Sequence, residues 1–273
     1  MGQKGILGQA PSVPCGAWDP EVLDYAAALA AASTLVAGYA SAELEGEVHV
    51  GYSNMYEFRF FDVGDSLFEA GVDLAYEAGP VSLSAGAWYG GWDNRNGAVA
   101  PAANSELDLY AGVGTDLGPV SLELGYIYYA FPDFSATDTQ EIYLSAGVDL
   151  FWGVGLGTTA FWDFDLYDGL YVDTSVTKSF EFSECLGLDL AAGFGYADGH
   201  GLQGKGTGPA GRTADGYQGF YVSAQLPWEF RDGVTLTPYM KYTDGDGKLA
   251  TGPNPFDDGQ DFWIAGVKLG VSF

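Results

Sequence analysis

Residues 261–273 read DFWIAGVKLGVSF, and they alternate. Trp263, Ala265, Val267, Leu269, Val271 and Phe273 are apolar, and Gly266, Lys268, Gly270 and Ser272 lie between them. A period of two puts the two sets on opposite faces of a β-strand. The rule recurs upstream. In 141–150, Ile142, Leu144, Ala146, Val148 and Leu150 oppose Glu141, Tyr143, Ser145, Gly147 and Asp149. In 186–196, Leu186, Leu188, Leu190, Ala192, Phe194 and Tyr196 oppose Asp189, Ala191, Gly193 and Gly195.

Read this way, residues 43–273 predict twelve strands, near 46–60, 67–76, 80–90, 105–116, 119–130, 139–150, 154–165, 169–181, 186–197, 216–229, 233–243 and 260–273. Five connections are tight: 78–80, 117–119, 151–153, 183–185 and 231–233. They alternate with more variable ones, the largest near 198–215 and 244–259. An even strand number with short turns on one side and longer loops on the other is the pattern of a closed transmembrane β-barrel. Aromatic residues gather toward the strand ends, with Trp152, Phe180, Phe182, Trp228 and Phe273 on the short-turn side. Tyr89, Tyr126, Tyr128, Trp162, Phe164, Tyr196 and Trp263 lie toward the loops, so the two sets read as interfacial girdles.

A water-soluble barrel would turn its apolar face inward. Here the inward set carries carboxylates on nearly every strand, which a dry core could not hold. The sequence therefore predicts an all-β, 12-stranded antiparallel barrel with lipid outside and water inside, of the Gram-negative outer-membrane type. Two residues depart from the rule. Asn54 falls on the lipid face, which suggests a bulge or an interfacial depth, and Lys178 points outward where its stem can snorkel to headgroups.

Composition agrees. The formal charge is -27, with 10 Lys plus Arg against 37 Asp plus Glu, which excludes nucleic acid as a partner. The 18 Tyr, 17 Phe and 7 Trp exclude a disordered acidic chain. Residues 25–42, YAAALAAASTLVAGYASA, have the apolar stretch and small-residue ending of a secretory signal peptide, which makes 1–42 a signal segment with an atypical acidic N-terminal extension. A retained amphipathic or plug helix is the alternative there. Removal of Cys15 with this segment would leave Cys185 alone. No Cys/His cluster has zinc spacing and no cofactor motif is present.

Three stretches resemble the TorF or Gcw type of outer-membrane porin: Tyr56-Glu57-Phe58-Arg59, ELDLYAGV at 106–113, and ELGYIYYAFPD (123–133) with TQEIYLSAGV (139–148). The family pattern is similar to Tyr-Val-Phe-Arg-Gly, then Glu-hydrophobic-Asp-Leu-Tyr-Ala-Gly, then Gly-Tyr-Ile-Tyr-Tyr and Glu-Ile-Tyr. Glu57 replaces the usual apolar residue, and Phe60 stands where Gly is common. The resemblance implies a barrel and a pore, and it supplies no catalytic residues. A last strand closing on Phe273 likewise resembles the signal read by the barrel-assembly machinery.

Strand parity places Glu57, Glu69, Asp73, Asp108, Glu123, Glu141, Asp149, Asp163, Asp173 and Asp189 in the lumen, with Arg59, Lys241 and Lys268 as its basic residues. Such acidity implies water or compensating cations, and acidic rings favour cations. The expected function is a porin-like channel for small solutes or cations, in which the three basic residues pair with carboxylates and shape a constriction. The alternatives are acidity suited to a saline habitat, a structural or adhesion barrel with a plugged lumen, and a barrel enzyme. The enzyme reading lacks a nucleophile placed beside His49, and His200 falls in a Gly-rich segment expected to be mobile. Asp163, Asp165 and Asp168 at a loop mouth, and Asp244-Gly245-Asp246-Gly247, are weak divalent-cation patterns for which solvated acidity is the default.

Overall fold

The computed structural model describes residues 44–93, 103–133, 138–200, 215–245, 257–258 and 261–273. Their strands, in chain order, are β1 (Leu44–Phe58), β2 (Phe61–Ala78), β3 (Val81–Asp93), β4 (Ser105–Leu117), β5 (Val120–Ala130), β6 (Thr139–Asp149) and β7 (Val154–Asp163). They continue as β8 (Gly169–Ser183), β9 (Leu186–Asp198), β10 (Gly216–Gln225), β11 (Trp228–Arg231), β12 (Val234–Gly245), β13 (Asp257–Asp258) and β14 (Asp261–Ser272).

All pair antiparallel in one sheet, and β1 pairs with both β2 and β14, so the sheet closes without an edge. β10 and β11 share their neighbours β9 and β12 and form a single wall strand broken at Leu226-Pro227, where proline has no N–H to give a ladder. β13 only touches the start of β2. The wall is therefore twelve strands, as the alternation predicts. The expected signal segment 1–42 and residues 246–247 of the Asp-Gly repeat lie outside the described residues. Cys185, at the 183–185 turn, is not a free thiol.

The faces sort as lipid and water demand. Leu144 is 53% exposed, Phe68 54% and Trp263 57% on the outside, while Glu141, Ser53, Gln218 and Thr243 are buried within. The short turns have simple causes. Gly79 and Gly118 open the Gly-Pro turns with φ of 72° and 67°, and glycine with positive φ at the first central position suits the type II′ hairpin. At the 151–153 turn, Trp152 also adopts a positive φ, of 63°. Lys178 Nζ donates to the carbonyls of Trp152 and Gly153, so it is tied to that turn rather than reaching out to headgroups.

Asn54 does face outward, and its carboxamide replaces a piece of the ladder. The β1–β14 pairing ends at Ser53↔Gly266. Beyond it, Asn54 Nδ2 donates to the Trp263 carbonyl at 3.1 Å, and Asn54 Oδ1 accepts the Ala265 N–H at 2.7 Å. A polar side chain is tolerated at the lipid face because it satisfies two backbone groups that lipid cannot. Asn54→Ala is expected to destabilise the barrel by about 1–2 kcal/mol, measured as a lowered urea midpoint for the protein refolded in lipid vesicles.

Candidate functional site

The first hairpin does not stay in the wall. After Ser53, β1 leaves β14, and the β2–β3 register shifts between Asp65 and Phe68. The freed hairpin continues to Phe58↔Phe61 and closes in a two-residue turn, with Arg59 at φ 50° and Phe60 at φ 72°. The connection expected over 61–66 is thus mostly strand. Its tip crosses the lumen to strands on the far side. The Phe60 ring lies 6.3 Å from that of Tyr221 on β10, against Gly195 and Gly219, whose missing side chains leave it room.

Arg59 is the centre of the arrangement. Its guanidinium makes two parallel bonds to Glu141 on β6, at 2.7 and 2.6 Å, and the two side chains are 7% and 2% exposed. The rings of Phe58, Phe161 and Tyr171 stand 4.7, 4.8 and 4.5 Å from its centre. Paired carboxylate and aromatic faces together meet the demands of a buried cation. Tyr129 donates to Glu141 at 2.8 Å, and His200 Nε2 lies 3.5 Å from the same group. His200 is buried and stacks on Tyr167 at 5.5 Å. Burial first, then Asp163, pushes the Tyr167 phenol up to about 12, so this loop residue stacks as a neutral ring.

The other predicted lumen residues all face inward or toward the rim, and most have partners. Lys241 binds Glu57, which also accepts the Phe60 N–H at 2.7 Å and so braces the turn. Lys268 lies 3.3 Å from Glu47. All three expected basic residues are therefore paired. Glu69 accepts from Trp88 at 2.9 Å, Asp73 from Tyr110, Asp173 from Tyr221 at 3.1 Å, and Glu123 from Tyr143 and Ser84 at 2.6 and 2.9 Å. Asp108 is on β4 beside Glu106, which accepts from Tyr56 at 2.8 Å. Asp149 is exposed at the short-turn rim, and Asp189 is half-buried opposite Ser179 and Gln225.

Asp163 is the exception in kind. It is fully buried; Oδ2 accepts from Thr139 at 2.6 Å, and Oδ1 accepts the N–H groups of Asp165, Tyr167 and Asp168 at 3.0, 3.0 and 3.3 Å. It shapes the 164–168 loop rather than facing open water. Asp165 and Asp168 are exposed and do not converge with it on an ion.

Below the hairpin, toward the short turns, a cavity of about 510 Å³ is lined by Glu77, Asp116, Glu123 and Asp173 together with small residues of β3 to β8. A second, of about 360 Å³, lies beside the hairpin between Glu57, Glu69, Asp108 and Lys241. The architecture is that of an outer-membrane β-barrel.

The fold is similar to the COG4313 outer membrane channel from Pseudomonas putida F1, at 12% identity and a TM-score of 0.52, covering 85% of this chain and 95% of that one. The NanC porin (10% identity, TM-score 0.49, covering 84% and 98%) and the KdgM porin (9%, 0.48, 84% and 99%) align over similar lengths. At such identities the likeness establishes the fold alone. No protein-family description matches the chain, and no curated protein does.

Alternation along the strands makes the inward tyrosines space fillers and does not bring Phe60 and Tyr56 into the site. The signal available was the run Tyr56 to Phe61, dense in aromatics where an outer loop should be polar. Arg59→Ala leaves Glu141 buried without its cation and is expected to cost about 3–5 kcal/mol. Arg59→Met combined with Glu141→Leu should recover most of that loss in urea unfolding; a double variant as unstable as Arg59→Ala would show the charge pair is not the source.

Proposed function

We propose that this chain is a porin-like channel of the bacterial outer membrane for small solutes, narrowed on its loop side by the β1–β2 hairpin and preferring cations. The observation that carries the reading is the polar cavity of about 510 Å³ inside the wall, with Glu77, Asp116, Glu123 and Asp173 on its surface. A structural barrel has no need to keep such a space wet, and lumenal carboxylates favour cations over anions. The Pseudomonas putida neighbour is an outer membrane channel, and the TorF or Gcw resemblance of the 106–148 region points the same way. On this reading residues 1–42 are a secretory signal, and Phe273 is the residue that the assembly machinery reads. Its ring rests over Gly46, whose backbone exchanges hydrogen bonds of 3.0 and 2.9 Å with it.

The Arg59–Glu141 clamp favours a second reading, a barrel whose lumen the hairpin plugs. Planar-bilayer recording separates the two. The channel reading expects unitary conductance in the wild type and a reversal potential in a KCl gradient that favours K⁺. Glu123→Gln with Asp173→Asn should shift that potential toward zero, and Phe60→Ala should raise the conductance. Anion preference would sink the cation reading. A silent wild type that conducts only in Phe60→Ala would mark the hairpin as a plug.

A further inference from the structure

We propose that Glu47, His49 and Asp73 form a binding site for a divalent transition-metal ion, of which zinc is the representative, in the short-turn half of the lumen. It stands apart from the conductance question. Glu47 and His49 project from one face of β1, and Asp73 faces Glu47 across the β1–β2 ladder. One ligand atom from each lies within 4.8 Å of the others. His49 is only 7% exposed, yet its Nδ1 has no hydrogen-bond partner. That nitrogen is aimed between the carboxylates, 3.4 Å from Asp73 Oδ2 and 3.8 Å from Glu47 Oε1.

Oxygen and nitrogen ligands at ~2.1 Å from a tetrahedral ion sit about 3.4 Å from one another. Little side-chain movement is therefore needed to close the set. An imidazole with two carboxylates suits borderline divalent ions, and the Irving–Williams order places zinc above manganese and ferrous iron. Three protein ligands leave a position open to the lumen, as in sites that exchange a water or a solute.

The surroundings are built for these side chains. His49 has glycine opposite it on both neighbouring strands, Gly71 and Gly270. A Cβ on Gly71 would stand 2.5 Å from His49 Cε1, and one on Gly270 would stand 2.9 Å from the Glu47 carboxyl carbon. Tyr110 donates to Asp73 Oδ1, which leaves Oδ2 turned to His49. Such outer partners orient metal-binding carboxylates. Lys268, 3.3 Å from Glu47 Oε1, is the one local competitor for the ion among the described residues. The other constellation of this kind, Glu141 with Asp163 and His200, is already engaged by Arg59, Thr139 and the 164–168 backbone.

The test is calorimetric titration of the refolded full chain, stripped with chelator, with ZnCl₂, alongside visible spectra with CoCl₂. One saturable zinc ion per barrel is expected, together with a Co²⁺ absorption band. His49→Gln should abolish both, with folding checked by heat-modifiable gel mobility. Tyr110→Phe, acting only through Asp73, should weaken binding about 10-fold, and Lys268→Met should tighten it. Absence of saturable binding overturns the proposal. So does zinc binding unchanged in His49→Gln, which would belong to scattered carboxylates. Should that variant not fold, zinc binding unaltered by both Tyr110→Phe and Lys268→Met overturns it as well.

Discussion

The ion pair of Arg59 with Glu141 joins the first hairpin to the opposite wall, and the interior on the loop side is organised around it. Arg59 and Glu141 are 82 residues apart in sequence and meet bidentately with almost no solvent. Neither could be buried there alone, since the cost of an isolated charge in such a place exceeds what packing returns. Their pairing therefore fixes where the hairpin must go. With Arg59 in place, Phe60 is carried onto Gly195 and Gly219, and Glu57 is carried to Lys241. Tyr129 and His200 then complete the shell of Glu141.

The turn that delivers Arg59 is an unfavourable one locally. Two-residue turns with positive φ at both central positions favour Asn, Asp and Gly, and β1–β2 uses Arg59 and Phe60 instead. Two features offset that strain. Phe60 is buried to 1% exposure, and its N–H is held by Glu57. A glycine at 60 would relax the backbone and lose the ring, and an apolar residue at 57 would lose the brace. The two residues therefore act together in holding the turn against the far wall.

The wall is legible in the sequence because its physics is local. Alternation on each strand, Gly-Pro at two turns and aromatics at the ends each follow from a few neighbouring residues and the lipid outside. The strand count, the closure and the inward direction of Lys241 and Lys268 follow from it. The hairpin does not. Parity is a rule about residues in a flat ladder, and it says nothing once β1 leaves β14 after Ser53. Asn54 stands out as an anomaly of the lipid face, but its role depends on Trp263 and Ala265, more than 200 residues away. Parity turns Asp163 inward beside Glu141, but its burial beneath the 164–168 loop depends on backbone beyond its strand.

The acidity of the lumen also differs from what charge counting suggests. Five inward tyrosines, Tyr56, Tyr110, Tyr129, Tyr143 and Tyr221, each donate to a separate carboxylate: Glu106, Asp73, Glu141, Glu123 and Asp173. Phenol O–H groups therefore satisfy many of the carboxylate oxygens that bound cations would otherwise hold. A carboxylate held by one neutral donor is fixed in direction but keeps lone pairs for another partner. At Glu141 that partner is Arg59, and the result is a closed, dry contact. At Glu123 and Asp173 the remaining lone pairs face the cavity. The same pairing of phenol and carboxylate thus seals one end of the lumen and leaves an oriented acidic surface at the other. Arg59 is the partner that sets Glu141 apart from Glu123 and Asp173.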